Sequence, residues 1–395
     1  MIRSGGLRIL WVRHAPIAEG RTTRDAYLVP RIARRHEVHV VTWDDAETVG
    51  HAPWRRLLFR RTESLGLPTW VLPKLPRPPG WRVWWPSINQ PMFQAAMLGL
   101  ERHLRADVVV AGPTWTSTGF PPHTLGALRV FDFLDGGDWT DPHWRKPDTR
   151  YLDWSQAILA VSEALARVAE PWARPTAVIP NGLELEKLLE RRARRVALRA
   201  KLGFENRRVV SLVGLTASRD LYWVETVRRL ARTVDGFLFV AAGRGPVAST
   251  IEALARELPE HVRWMGAVPY EEALDLFVAS DVTWYPGEDI GYFHNASPLK
   301  VFEGLGAGTE VVVAPRLRSL AAFDMSSLHF SGTNAEEFAA ATARALSAPA
   351  HPSDGELSAK LAERSWDGIA AKTGDFLERL VAERRSAAQR PTIRS

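Results

Sequence analysis

Cysteine is absent from the 395 residues, which removes disulfides, thiolate zinc sites and thiol nucleophiles at once. No apolar run approaches the length of a membrane span. The opening, Met1-Ile-Arg-Ser-Gly-Gly-Leu-Arg-Ile-Leu-Trp-Val-Arg-His14, is broken by Arg8 and Arg13 and reads as a short strand, not as a signal peptide. Short internal repeats and low-complexity tracts are missing as well. With 46% hydrophobic and 24% charged residues, a chain of this length can build two ordinary domain cores. A cytoplasmic protein is the expectation, with peripheral attachment at the inner face of a membrane as an option.

That option comes from a local shortage of acid. The whole chain carries a net charge of +6, and residues 51–91 hold Arg55, Arg56, Arg60, Arg61, Lys74, Arg77 and Arg82 against Glu63 alone. The same stretch contains Trp54, Trp70, Trp81, Trp84 and Trp85 with eight prolines, so much of it is expected to be irregular. A basic surface interleaved with indoles suits an anionic membrane, a lipid-linked acceptor or a nucleic-acid strand. An excursion whose tryptophans pack on their own domain and whose arginines are solvated explains it equally.

Apolar periodicity divides the rest into two α/β blocks. The first opens with a strand at Leu7–Val12, a helix near Asp25–Arg35 and a strand at Val38–Thr42, a βαβ start with parallel-sheet character. A helix near Gln90–Arg105 and strands at Asp107–Ala111, Arg129–Phe133 and Ala157–Val161 follow, with Ser162 as the cap of another helix. The turn Val178-Ile-Pro-Asn-Gly182 closes this block. Residues 184–201 read as a solvated connector. Strands at Arg208–Gly214, Phe237–Ala242, Val262–Met265, Val282–Tyr285 and Val311–Ala314 then alternate with helical segments. Ser365 to Val381 forms a last amphipathic helix, and Arg384 onward is expected to fray. Boundaries follow at 1–184, 185–365 and 366–395. Ligands of open α/β sheets sit beyond the carboxyl ends of strands, where Gly214, Gly243, Gly266, Tyr285 and the 295–303 segment gather.

Asn295-Ala-Ser-Pro-Leu-Lys-Val-Phe-Glu-Gly-Leu-Gly-Ala-Gly308 is the most informative of these segments. Ser297 can cap a helix, Pro298 fits its first position, and Gly306 and Gly308 end it. Lys300 then falls in the first turn, where the helix dipole disfavours a cation. A bound anion resolves that conflict. Glu303 shares a face with Lys300 and can accept hydrogen bonds from a sugar diol. The bland alternative is an exposed Lys300–Glu303 pair on an ordinary helix.

This segment resembles the donor-binding helix of GT-B glycosyltransferases, many of which carry S-P-x-K-x-x-E before a valine-rich strand. Ile158-Leu-Ala-Val-Ser-Glu-Ala, Val178-Ile-Pro-Asn-Gly182 and Val262-Arg-Trp-Met-Gly-Ala-Val-Pro-Tyr270 echo the family in the same order. The resemblance implies two doubly wound Rossmann-like domains facing each other across a cleft, with the final helix crossing back to the N-terminal domain. It implies ribose on Glu303 and phosphate on Lys300, with Ser297 and the amides near Pro298 and Leu299. It further implies the nucleobase on the backbone around Ala267 and Val268, and Tyr285 lining the donor pocket. Gly214-Leu-Thr-Ala-Ser-Arg-Asp220 offers amides and Arg219 to the diphosphate, or is an ordinary strand-to-helix loop. Asn295 stands where retaining members carry a glutamate that contacts the donor sugar.

No D-x-D sequence occurs, so the metal-chelating donor mode of the other large glycosyltransferase fold has no support. No metal or cofactor is expected. The donor, a UDP-, GDP- or dTDP-linked sugar, is a substrate, and the acceptor is a glycan, a lipid-linked glycan or a small molecule. The leaving diphosphate then relies on Lys300, arginine and helix dipoles. The base candidate is Asp135, in Val130-Phe-Asp-Phe-Leu-Asp-Gly-Gly-Asp-Trp139. This is similar to the strand-then-Asp-Gly element of inverting members such as the xanthan glucuronosyltransferase. A turn-forming role is the alternative for Asp135, and Asp132 and Asp138 are weaker candidates. His14, directly after the first strand, is a second base candidate or a structural histidine. A nucleotide-sugar epimerase or hydrolase on this scaffold is the runner-up enzyme. A protein binding nucleic acid or an anionic membrane through residues 51–91 is the alternative from another class.

Overall fold

The computed structural model describes residues 6–13, 23–43, 58–75, 85–112, 120–134, 136, 142–214, 219–321, 323–348 and 353–389. The chain divides into two compact units, residues 1–180 with 366–395, and residues 181–365. Both are doubly wound and Rossmann-like.

The first unit contains β1 (Arg8–Arg13), β2 (Glu37–Trp43), β3 (Arg60–Ser64), β4 (Leu67–Leu72), β5 (Val108–Ala111), β6 (Leu128–Phe133), β7 (Ala157–Ala160) and β8 (Thr176–Val178). They line up as β3-β4-β2-β1-β5-β6-β7-β8, parallel throughout except for the antiparallel pair β3–β4. Short valine- and isoleucine-rich runs suit strands that helices cover on both faces, and every residue of β5 and β7 is buried. Ser162 caps its helix as the sequence predicts, accepting the Leu165 N–H at 3.2 Å. Helix Trp366–Gln389 completes this unit by packing on helix Arg24–Ile32. Tyr27 stacks on Trp366 with ring centroids 5.3 Å apart, and Arg34 and Arg35 reach Asp367 and Asp375 at 2.5 and 2.7 Å.

The second unit contains β9 (Arg208–Val213), β10 (Phe237–Ala242), β11 (Val262–Trp264), β12 (Val282–Pro286), β13 (Glu310–Ala314) and β14 (Leu328–Phe330). Their order is β11-β10-β9-β12-β13-β14, all parallel. The chain winds outward from β9 to β11, returns, and winds the other way from β12. The topological switch point therefore lies between β9 and β12, where such sheets open a crevice for ligands.

Three expectations need correcting. The described part of the proline-rich excursion is not irregular: β3 and β4 form a hairpin through Leu65-Gly66, both left-handed. Pro68 is tolerated because β4 pairs there only with an edge strand. Trp70 packs against Phe59, His39 and His103 of its own unit. Trp54, Trp81, Trp84, Arg55, Arg56, Arg77 and Arg82 lie outside the described residues. The 184–201 connector is not merely solvated either. Helices Leu185–Arg192 and Arg195–Leu202 bury Leu185, Leu188 and Leu198. Arg191 pairs with Asp275 at 3.0 Å, and Arg195 and Arg199 both hold Asp281. Lastly, the tail is ordered as helix to Gln389, with Arg385 on Asp107 at 2.7 Å.

Candidate active site

Gly214 leaves β9 with φ +75°, a left-handed conformation that glycine alone adopts freely. Space forbids a side chain as well: a Cβ there would sit 2.0 Å from Lys300 Cε and 3.0 Å from Nζ. The lysine therefore lies folded over the carboxyl end of β9. Among the described residues no carboxylate comes within ion-pair distance of its ammonium. At the neighbouring carboxyl end of β12, Gly287 accepts the Tyr222 hydroxyl at 3.2 Å. Glu288 accepts the Arg219 N–H at 2.9 Å. The switch point thus brings together Gly214 and Lys300, 86 positions apart, which the sequence only marks separately.

Helix Leu299–Gly306 carries Lys300 and Glu303. Its start differs from the sequence expectation. Pro298 is the N-cap and no side chain caps the helix. Ser297 is engaged elsewhere: its Oγ accepts the Asn181 N–H at 3.1 Å, and its carbonyl accepts Asn181 Nδ2 at 2.6 Å. This ties Asn181 to the helix entrance and leaves the first amides without a side-chain cap among the described residues. Gly306 is inside the helix, where a Cβ would meet Leu183 at 2.5 Å, and the left-handed Gly308 follows the last turn.

Glu303 is almost fully buried, at 3% exposure, so the exposed-pair reading fails. Tyr270, the first residue of helix Tyr270–Ala279, donates its hydroxyl to Glu303 Oε1 at 2.8 Å. Burial pushes the carboxyl up to about 7, against the pull of Lys300 and the Tyr270 hydrogen bond, with Glu184 adding to the rise. Such a group is held in reserve for hydrogen bonding near neutrality. Sequence marks Tyr270 only as the end of the Val262–Tyr270 echo and Glu184 not at all, because each meets Glu303 only through the fold.

The family model of glycosyl transferases group 1 matches residues 208–348, from β9 to the helix after β14. That match lies within the second unit, which is similar to glycosyl transferases group 1. No curated protein matches the sequence of the chain. Among solved structures, sucrose-phosphate synthase from Thermosynechococcus elongatus superposes with a TM-score of 0.71 at 16% identity, over 95% of this chain and 100% of that one. The catalytic domain of starch synthase IV from Arabidopsis thaliana, bound to ADP and acarbose, gives 0.64 at 14% identity, over 96% and 100%. Anabaena HepE in complex with UDP and glucose gives 0.57 at 15%, again over 96% and 100%.

The remaining marked residues divide plainly. Val268 and Leu299 are half-buried, Val268 packing on the core of the second unit beside Tyr270. Tyr285 belongs to that core and meets Phe293 edge-on at 6.2 Å. Asn295, 9% exposed, ends helix Gly291–Asn295. The Arg219 side chain is exposed. His14, Asp135 and Asp138 lie outside the described residues. Asp132 is described, and its setting removes it as a base candidate. It is buried on β6 in contact with the Arg13 guanidinium and 3.8 Å from Arg24. Arg13 also holds Asp25 at 2.6 Å. This charge cluster joins the carboxyl ends of β1 and β6. Sequence reading missed it because its members are 119 residues apart in the case of Arg13 and Asp132.

The raised Glu303 carboxyl gives a stability prediction. Between its usual 4.5 and about 7 the unfolded carboxyl ionises while the folded one keeps its proton. The stabilisation is complete below 4.5, is lost as pH rises to about 7, and stays lost above it. The loss amounts to about 3 kcal/mol. Glu303→Gln keeps an acceptor for Tyr270 without the buried charge. Its melting temperature should exceed the wild type's by several degrees at pH 8 and match it near pH 5. Parallel melting curves over that range check this.

Proposed function

We propose that this chain is a nucleotide-sugar-dependent glycosyltransferase and that the switch point of its second unit holds the donor, with the diphosphate on Lys300 and the Gly214 loop and the ribose on Glu303. The observation that carries this reading is the lysine folded over Gly214 in the first turn of helix Leu299–Gly306. The dipole of that turn opposes the ammonium, and a diphosphate offsets both. The uncapped amides at the helix start add donors for the same oxygens. The nucleotides in the starch synthase and HepE structures are of this chemical class.

The first unit supplies the acceptor site and the base. We assign the base to Asp135, which favours inverting displacement: the acceptor oxygen, losing its proton to the carboxylate, attacks the anomeric carbon as the nucleoside diphosphate leaves. His14 and Asn295 are assigned contacts to the acceptor and the donor sugar. Among the described residues no three His, Asp or Glu side chains gather as metal ligands, and Lys300 provides the positive charge for the leaving group in this scheme.

A thermal-shift series with UDP, GDP, ADP and dTDP, each against its nucleoside, tests the donor assignment. One diphosphate should raise the melting temperature while its nucleoside does not, since ligand binding to the folded state alone stabilises it. No shift with any diphosphate or its glucose conjugate contradicts the reading.

A further inference from the structure

We infer that Tyr270 is a positioning residue for donor recognition: its hydroxyl fixes the Glu303 carboxylate in the orientation that accepts the ribose diol. This rests on the donor reading above and adds a residue that the sequence assigns no role.

The argument begins with the helix. A glutamate side chain has three rotatable bonds, and one accepting two ribose hydroxyls must present its carboxylate in a fixed plane. Lys300 cannot fix it, because the ammonium lies over Gly214. The hydrogen bond from Tyr270 at 2.8 Å does. Tyr270 is itself well placed to be rigid. It is the first residue of a ten-residue helix, follows Pro269, and packs half-buried against the core of the second unit. The phenol also leaves lone pairs on both carboxylate oxygens, since Oε1 accepts more than one hydrogen bond. A neutral donor suits this place better than a cation, which would compete for the diphosphate.

The location adds a second argument. Tyr270 lies two residues after Val268, on the segment that joins β11 to its helix. That segment is the one assigned to the nucleobase. The base contact and the residue that orients the ribose acceptor are thereby carried on one continuous piece of chain.

The charged groups facing Glu303 are Lys300 on its own helix, Tyr270 on the helix after β11 and Glu184 at the start of helix Leu185–Arg192. Two of these, Lys300 and the Tyr270 hydroxyl, favour the ionised carboxylate, and Glu184 opposes it. Removing the phenol hydroxyl therefore moves the ionisation of Glu303 to higher pH as well as freeing its rotation.

The test compares wild type and Tyr270→Phe in binding ADP, GDP and UDP and the 2′,3′-dideoxy form of each, by calorimetry from pH 6 to 8.5. In wild type the preferred ribonucleotide should bind more tightly as pH rises through about 7. In Tyr270→Phe its affinity should fall roughly ten-fold at pH 7.5, the worth of a hydrogen bond to a charged group, and the rise should shift to higher pH. The dideoxy nucleotide should bind both proteins equally. Equal losses for the ribo and dideoxy forms, or no loss at all, overturn the assignment of Tyr270 while leaving the donor site standing. Wild type binding dTDP alone overturns this inference and leaves the donor site standing, and wild type binding none of these nucleotides nor dTDP overturns both. A melting curve on Tyr270→Phe confirms that the compared proteins are both folded.

Discussion

Replacing Lys300 with alanine should weaken binding of the preferred nucleoside diphosphate about 100-fold, and lower kcat/KM by a similar or larger factor. The ammonium lies over the Gly214 end of β9, and among the described residues no carboxylate comes within ion-pair distance of it there. A diphosphate losing this contact loses a charge-assisted hydrogen bond in a partly buried place, where such bonds are strongest. The nucleoside without phosphates should bind Lys300→Ala and wild type alike, because base and ribose contacts lie elsewhere. Calorimetry with diphosphate and nucleoside on both proteins separates these cases. A uniform loss for both ligands points to damage of helix Leu299–Gly306 instead. The apo protein should tolerate the change well, since the substitution removes a cation from a helix start.

Asp135→Asn should abolish transfer, with kcat reduced about 1000-fold or more, while leaving diphosphate affinity unchanged. Asparagine keeps the size and polarity of the side chain and removes only its ability to take the acceptor proton. The adjacent candidates sharpen the expectation. Asp132, on the preceding strand, is committed to Arg13 and Arg24, so it cannot substitute as base. His14 offers the remaining alternative, and His14→Asn should reduce transfer far less than Asp135→Asn. Product analysis in the absence of acceptor distinguishes the runner-up enzyme class: an altered sugar on the nucleotide identifies an epimerase. Equal loss of donor affinity in Lys300→Ala, Glu303→Ala and Asp135→Asn refutes the division between donor-binding and base residues.

The parts of this molecule that are legible in sequence are those set by local periodicity. Buried parallel strands such as Phe237–Ala242 and Val311–Ala314 announce themselves as valine- and alanine-rich runs, and the fold follows from their alternation with helices. The Lys300–Glu303 spacing is legible for the same reason, since three residues on a helix share a face. Ser297 shows where local reasoning stops. A serine before Pro-Leu-Lys has the composition of a cap, but Asn181, more than a hundred positions away, takes its hydroxyl. The connector shows the same limit from the other side. Its arginines look solvated because their partners, Asp275 and Asp281, lie about 80 residues downstream. The Tyr270–Glu303 contact and the Arg13–Asp132 cluster are invisible in sequence because tertiary contact alone creates them. The hairpin at Arg60–Leu72 escaped because proline counts penalise strands without regard to whether an edge position frees the missing N–H.

A crystal structure of the full chain with the diphosphate that stabilises it most tests the central claim directly. The account predicts a β-phosphate oxygen about 3 Å from Lys300 Nζ, with both ribose hydroxyls on the Glu303 carboxylate and Tyr270 still donating to Oε1. A nucleotide seated away from the β9–β12 switch point, with Lys300 uninvolved, contradicts it.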